Sequence, residues 1–200
     1  MHTLLTATIL FIGDSHSVGP FGQKLDELLR NDGARVATYA SCGSIARWWF
    51  TGQKTTCGYF EKTLEGKVTQ ATTAVTPIFT QLLNDVHPDH VIIEFGTNYV
   101  KEESDEVAIK DMTKLKEEII RSGADCFWVL PPDMRKFRDD IPRLDRLVKT
   151  AIGETCRYFE SASVTHYPAT GGDGIHYWSP EGTPLARQWA KDAFTAFTAR

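Results

Sequence analysis

Short apolar runs alternate with amphipathic stretches from one end of this chain to the other, and that alternation restricts its fold more than any other feature. Buried parallel strands read as near-continuous hydrophobic runs, while the helices between them repeat apolar positions roughly every three to four residues. Ala7 to Ile12 is the first such run. After Gly19 and Pro20 a helical stripe passes through Leu25, Leu28 and Leu29 and stops near Gly33, and Arg35 to Ala40 predicts a second strand. Pro77, Leu82, Leu83 and Val86 predict a helix ended by Pro88, ahead of a strand at His90 to Phe95. A third stripe, Val107, Met112, Leu115, Ile119 and Ile120, closes at Gly123 before a strand at Cys126 to Leu130. A helix over about Asp140 to Ile152, a weak strand at Arg157 to Phe159 and a closing helix from about Ser179 to Phe197, with Pro180 and Pro184 near its start, complete the pattern. Repeated βα units of this kind predict an α/β sandwich around about five parallel strands.

The rhythm breaks once. From Ser41 to about Val75 the chain is rich in Thr, Gly and Gln without a sustained period, yet it carries Trp48, Trp49, Phe50, Tyr59 and Phe60. An irregular loop of that length is uncommon in a compact domain, and its aromatics point to packing rather than disorder. With 200 residues, the chain is expected to be one domain spanning 1–200.

Lys and Arg number 22 against 26 Asp and Glu, a net charge of −4 that leaves nucleic acid and anionic membrane without an electrostatic footprint. The longest uncharged apolar run, Leu4 to Gly13, falls well short of the roughly 18 residues of a spanning helix, so no membrane insertion is expected. It also lacks a basic residue ahead of it, so no signal peptide is expected in the chain as given. The compartment stays open, cytoplasmic or exported with a trimmed leader, and so does the oligomeric state. The four cysteines do not make a zinc motif. Cys126 and Cys156 fall in predicted strands and read as buried thiols, whereas Cys42 and Cys57 bracket the irregular segment and leave a bridge open.

Polar clusters fall at the predicted strand ends, where ligands gather in open parallel sheets. Gly13-Asp14-Ser15-His16-Ser17 follows the first strand, Ser41-Cys42-Gly43-Ser44 the second and Gly96-Thr97-Asn98 the third, while Asp173-Gly174-Ile175-His176 precedes the last helix. A serine hydroxyl attacks only when a base takes its proton. Asp173 can hold Nδ1–H of His176 and leave Nε2 free for a hydroxyl such as that of Ser15. The backbone N–H groups of Ser15 and Gly43 and the amide of Asn98 are candidate donors for the charge that develops on an ester oxygen. Taken alone, Gly-Asp-Ser is a turn or helix cap, Gly43 a turn glycine and Asn98 a loop cap. The weight lies in their order along the chain.

In these four blocks the chain resembles the SGNH hydrolase superfamily, the GDSL-type esterases, some members of which act on carbohydrate and peptidoglycan O-acetyl groups. Gly13-Asp14-Ser15 matches the first block, Gly43 the second, Gly96-Thr97-Asn98 the third and Asp173-x-x-His176 the last, so the resemblance covers nearly the whole chain. It implies a three-layer, flavodoxin-like α/β/α sandwich and hydrolysis of acyl esters without a cofactor or metal. The nucleophile role passes to Ser15, the base to His176, the orienting acid to Asp173 and the oxyanion donors to Ser15, Gly43 and Asn98. Two positions depart from the pattern: Ser41 stands where an Asn is frequent, and Tyr99 where an Asp is frequent. His16 matches acetylesterase members that read Gly-Asp-Ser-His.

His16, Trp48, Trp49 and Tyr177 are candidate substrate contacts, since aromatic faces suit sugar rings and acyl chains alike. Trp178 is expected to anchor the last helix, and the acidic run Lys101 to Glu106 to start a solvated one. The expected partner is a small-molecule or glycan acyl ester, most plausibly acetyl on a carbohydrate. Other readings are an acyltransferase, lipase or thioesterase on the same triad, a metal-dependent phosphoesterase built on Asp14, His16, Asn98 and His176, and a non-catalytic carbohydrate-binding module.

Overall fold

A computed structural model describes residues 6–101 and 104–199. Leu4 and Leu5 of the first apolar run, and Glu102 and Glu103 of the acidic run, lie outside the described residues. The elements follow in the order β1 (Thr8–Gly13), α1 (Ser15–Val18), α2 (Pro20–Asn31), β2 (Arg35–Ser41), α3 (Trp48–Thr51), β3 (Lys54–Thr55), β4 (Tyr59–Lys62), β5 (Val68–Ala71), β6 (Ala74–Val75), α4 (Phe79–Val86), β7 (His90–Glu94), α5 (Asp105–Ser122), β8 (Asp125–Val129), α6 (Ile141–Ile152), β9 (Arg157–Phe159) and α7 (Gly182–Thr198).

One mixed sheet runs β5-β4-β2-β1-β7-β8-β9. The five strands β2, β1, β7, β8 and β9 are mutually parallel, and their order is the flavodoxin-like one, reversing direction between β1 and β7. Alternation along β1 serves both faces. Ile9 and Phe11 pack with Phe21, Leu25, Trp189 and Phe197 under α2 and α7, while Leu10 and Ile12 pack with Phe79, Met112, Leu115 and Leu144 under α4, α5 and α6. The result is a sheet between two helical layers.

The segment read as irregular is organised in the structure. β4 pairs antiparallel with β2 and β5 antiparallel with β4, so two antiparallel strands extend the five parallel ones expected, while β3 pairs with β6 in a separate two-stranded ribbon. All four residues of β5 are exposed, and β3 and β6 have two residues each, so no apolar period marks them in the sequence. In α5 the core side consists of Ala108, Met112, Leu115 and Ile119, whereas Val107 and Ile120 face outward. The closing helix starts at Gly182 rather than Ser179, with Ser179 Oγ accepting the Gly182 N–H at 3.1 Å.

Both cysteine pairs are disulfides. Cys42–Cys57 ties the turn after β2 to the start of β4, and Cys126–Cys156 joins β8 to the residue before β9. The second bridge corrects the reading of Cys126 and Cys156 as thiols. Cys126 in β8 and Cys156 just ahead of the neighbouring parallel strand β9 have Cα atoms 4.8 Å apart, a proximity that a separation of 30 positions conceals. The double variant Cys126→Ala/Cys156→Ala should lose about 2–4 kcal/mol of stability in denaturant unfolding. Equal midpoints for the two proteins would mean that the bridge does not form in solution.

Candidate active site

Ser15 is the first residue of α1, directly beyond the C-terminal end of β1. Asp14 caps that helix by accepting the His16 N–H at 3.0 Å, which presents Ser15 toward the turn before α7. Ser15 Oγ stands 3.0 Å from His176 Nε2, and His176 Nδ1 stands 2.5 Å from Asp173 Oδ2. Residues 161 positions apart thus form one line of hydrogen bonds.

The turn that carries the imidazole is braced locally. Asp173 Oδ1 accepts the N–H groups of Ile175 and His176 at 2.8 and 2.7 Å. The Tyr167 hydroxyl accepts the Gly174 N–H and donates to the His176 carbonyl, each at 3.1 Å, and Arg135 donates to the carbonyls of Pro168 and Gly171. Partial burial pushes the Asp173 carboxyl up, but bonds from the His176 ring and the two backbone N–H groups outweigh it and hold the group at about 2. Asp173 is therefore ionised and acceptor-only across ordinary pH.

The candidate donors converge from two more strand ends. Asn98 sits in the short helical turn Thr97–Lys101 after β7, and Gly43 in the turn after β2 with φ of +81°. Asn98 Nδ2 donates to Asp14 Oδ2 and to the Ser44 carbonyl, both at 3.1 Å, so one amide knits together the turns after β1, β2 and β7. The backbone N–H groups of Ser15 and Gly43 have no hydrogen-bond partner among the described residues. Gly43, Ile45, Trp48, Asn98 and Lys101 line a hollow of about 300 Å³. Tyr99, the departure from the expected Asp, is buried, and its hydroxyl accepts the Ala46 N–H at 3.1 Å, bracing the Gly43 turn from beneath.

Of the proposed substrate contacts, only Trp48 lies at that hollow. Trp49 is 0 % exposed and packs on Phe95, because adjacent residues on the four-residue α3 face opposite ways. Tyr177 is 1 % exposed, with its hydroxyl donating to the Asp133 carbonyl at 2.7 Å. His16 is 2 % exposed, its ring 5.5 Å from His176 and 5.6 Å from Trp189. All three side chains are buried, away from the hollow.

Trp178 was expected only as a helix anchor, yet its ring stacks on the His176 imidazole, centroids 4.3 Å apart, while it remains 43 % exposed. Glu94 belongs to none of the four polar blocks of the sequence. Its sequence signal was a lone acid at the end of an otherwise apolar strand, and in the structure it is wholly buried beside Asp14. Among the described residues, no group of three or more His, Cys, Asp or Glu side chains is placed to hold a metal ion, and no helix is long and apolar enough to cross a membrane.

No family model matches the chain, and no curated protein matches it. Solved structures do. A structure described as TesA superposes with a TM-score of 0.64 at 16% identity, covering 96% of this chain and 98% of that one. Axe2, an acetylxylan esterase from Geobacillus stearothermophilus, gives a TM-score of 0.60 at 16% identity over 96% of both chains. A GDSL-like lipase from Bacteroides thetaiotaomicron gives 0.56 at 13% identity over 94% and 87%. The chain has the fold of the SGNH hydrolases.

His16 gives the buried side of this site a distinct pH signature. Burial, reinforced by the nearby His176, lowers its pKa to about 3, so its ring is neutral in the folded protein. The unfolded chain takes up a proton below about pH 6.5 that the folded one refuses, so this residue's contribution is complete above that value and is lost as pH falls toward 3. His16→Gln should therefore lose less melting temperature than the wild type between neutral and acid pH; parallel losses would show that His16 is protonated in the fold.

Proposed function

We propose that the chain is a serine esterase of the SGNH hydrolase family and that it removes small acyl groups, acetyl in the first place, from a carbohydrate. The observation that carries this reading is the contact of Ser15 Oγ with His176 Nε2 at 3.0 Å, on an imidazole already held through Nδ1 by an ionised Asp173.

In this reading Ser15 Oγ attacks the ester carbonyl while His176 Nε2 takes its proton. Asp173 holds Nδ1–H, keeps the tautomer that leaves Nε2 as acceptor, and stabilises the imidazolium once it forms. Negative charge on the carbonyl oxygen is met by the uncommitted N–H groups of Ser15 and Gly43, with an Asn98 proton shared from its existing bonds. Collapse of the tetrahedral species expels the alcohol, which receives the proton from His176. Water, activated by the same imidazole, then releases the acid from Ser15.

The choice of a small acyl group on a sugar rests on the likeness to an acetylxylan esterase and on the aromatic wall of the hollow. The hollow beside Gly43 and Asn98 is about 300 Å³, and the acetylxylan esterase of similar fold acts on an acetylated sugar polymer. Trp48 on its wall supplies an aromatic face of the kind sugar rings pack against. Hydrolysis assays across esters from acetyl to octanoyl, run beside acetylated glycans, test the assignment. Ser15→Ala and His176→Ala should each remove most turnover without loss of folding, and Asn98→Ala should lower kcat by about 100- to 1,000-fold. Near-native turnover in Ser15→Ala, or failure of a fluorophosphonate to label Ser15, would overturn the mechanism, and a preference for octanoyl esters would overturn the acyl size.

A further inference from the structure

Beneath the serine lie two acids that the mechanism above does not use. Glu94 ends β7, in register with Gly13 of β1, and its backbone carbonyl accepts the Asp14 N–H at 3.2 Å. Its side chain is 0 % exposed, as is that of Asp14. Glu94 Oε2 accepts a hydrogen bond from Ser17 Oγ at 2.8 Å. Gly13 makes this contact available, because a Cβ there would stand 2.0 Å from Ser17 Oγ. Each Asp14 oxygen already accepts one bond, Oδ1 from the His16 N–H and Oδ2 from Asn98 Nδ2, and each keeps a second lone pair.

One oxygen remains. Glu94 Oε1 is buried and receives no donor among the described residues, and the Asp14 carboxyl lies within hydrogen-bonding reach of the Glu94 side chain. The groups facing the pair are Ser15, His16 and Ser17 on α1, Asn98 after β7 and His176 on the turn before α7; the β8 residue paired with Glu94 is Val129. Among these groups there is no lysine or arginine to offset a second negative charge. Two carboxylates cannot both stay ionised in such a place, and the pair keeps a proton. Asp14, taking two N–H donors, is the partner suited to be the anion. Glu94 Oε1, lacking a donor, is the oxygen suited to become one.

We infer that Glu94 is a neutral carboxylic acid whose Oε1–H donates to the Asp14 carboxylate, and that this bond is a positioning device which sets the acceptor orienting the Asn98 amide. Its catalytic consequence rests on the esterase reading. An added negative charge under Ser15 would oppose the oxyanion, and the retained proton leaves one charge there instead of two. Desolvation drives the same way, with the Asp14 charge second, raising the Glu94 carboxyl well above the ordinary carboxylate range and the Asp14 carboxyl to about 6.

Infrared spectroscopy reads the proton without any reference to activity. At pH 8 (about two units above Asp14 and Asp145, both near 6) a carboxylic acid C=O stretch above the amide band should remain in the wild type and in Ser15→Ala, and vanish in Glu94→Gln. Absence of that band in the wild type would overturn the inference, whether or not any variant folds. In the hydrolysis assay Glu94→Gln, whose amide still donates to Asp14, should keep kcat near the wild-type value. Glu94→Met, of similar size but without a donor, should lower kcat by about 10- to 100-fold with little change in KM. Equal kcat for the Gln and Met variants would overturn the positioning role while leaving the serine mechanism intact. Melting temperature adds a sign. A raised pKa stabilises below the ordinary carboxylate range and that contribution is lost as pH rises through the folded value, so the wild type should fall behind Glu94→Gln as pH increases; a gap that does not change with pH would overturn the protonation assignment.

Discussion

The arrangement of this protein depends on one topological constraint, the reversal of strand order between β1 and β7. The chain leaves β1 toward one side of the sheet to form β2 and returns to place β7 on the other side of β1. The connections at the two carboxyl ends therefore diverge, and a crevice opens where no helix covers the sheet. Ser15 follows β1 and Asn98 follows β7, so both stand on the rim of that crevice as a result of strand order alone. The hydrogen bonds from Asn98 to Asp14 and Ser44 then close its floor.

Support for the site is graded in burial. Asp173 and His176 lie nearest solvent, Asp173 the more exposed of the two, while Ser15 is itself buried and meets the imidazole from below. Beneath them are neutral or proton-sharing groups: His16 against Trp189, Tyr177 tied to Asp133, and the Asp14 and Glu94 pair. Charge grows scarce with depth because each buried ion must find a partner, and the lower groups meet that demand by giving up charge or by sharing a proton.

Much of the fold was legible in the sequence because its carriers are periodic. The parallel strands are buried on both faces and read as apolar runs, and the major helices expose one side and read as stripes, so β1, β2, β7, β8 and α2, α5 and α6 fall within a few residues of their expected bounds. The hairpin of β4 and β5 was not legible. Its outer strand has no buried residue, and an edge strand held by backbone hydrogen bonds leaves no hydrophobic signature. The aromatics of that segment announced packing but not direction, and Trp48 at the hollow is distinguished from Trp49 in the core only by which side of a single helical turn each occupies.

The sequence by itself determined the class of fold and named the candidate residues of the site, since both are written in local terms: period, turn chemistry, and the spacing of Asp173 and His176 on one turn. Only tertiary structure decided which of those residues meet. The contact of Ser15 with His176, the Cys126–Cys156 bridge and the pairing of Glu94 with Asp14 each join positions at least 30 residues apart. Such meetings depend on strand order and side-chain direction, which arise from how the whole core packs and leave no mark at the positions themselves.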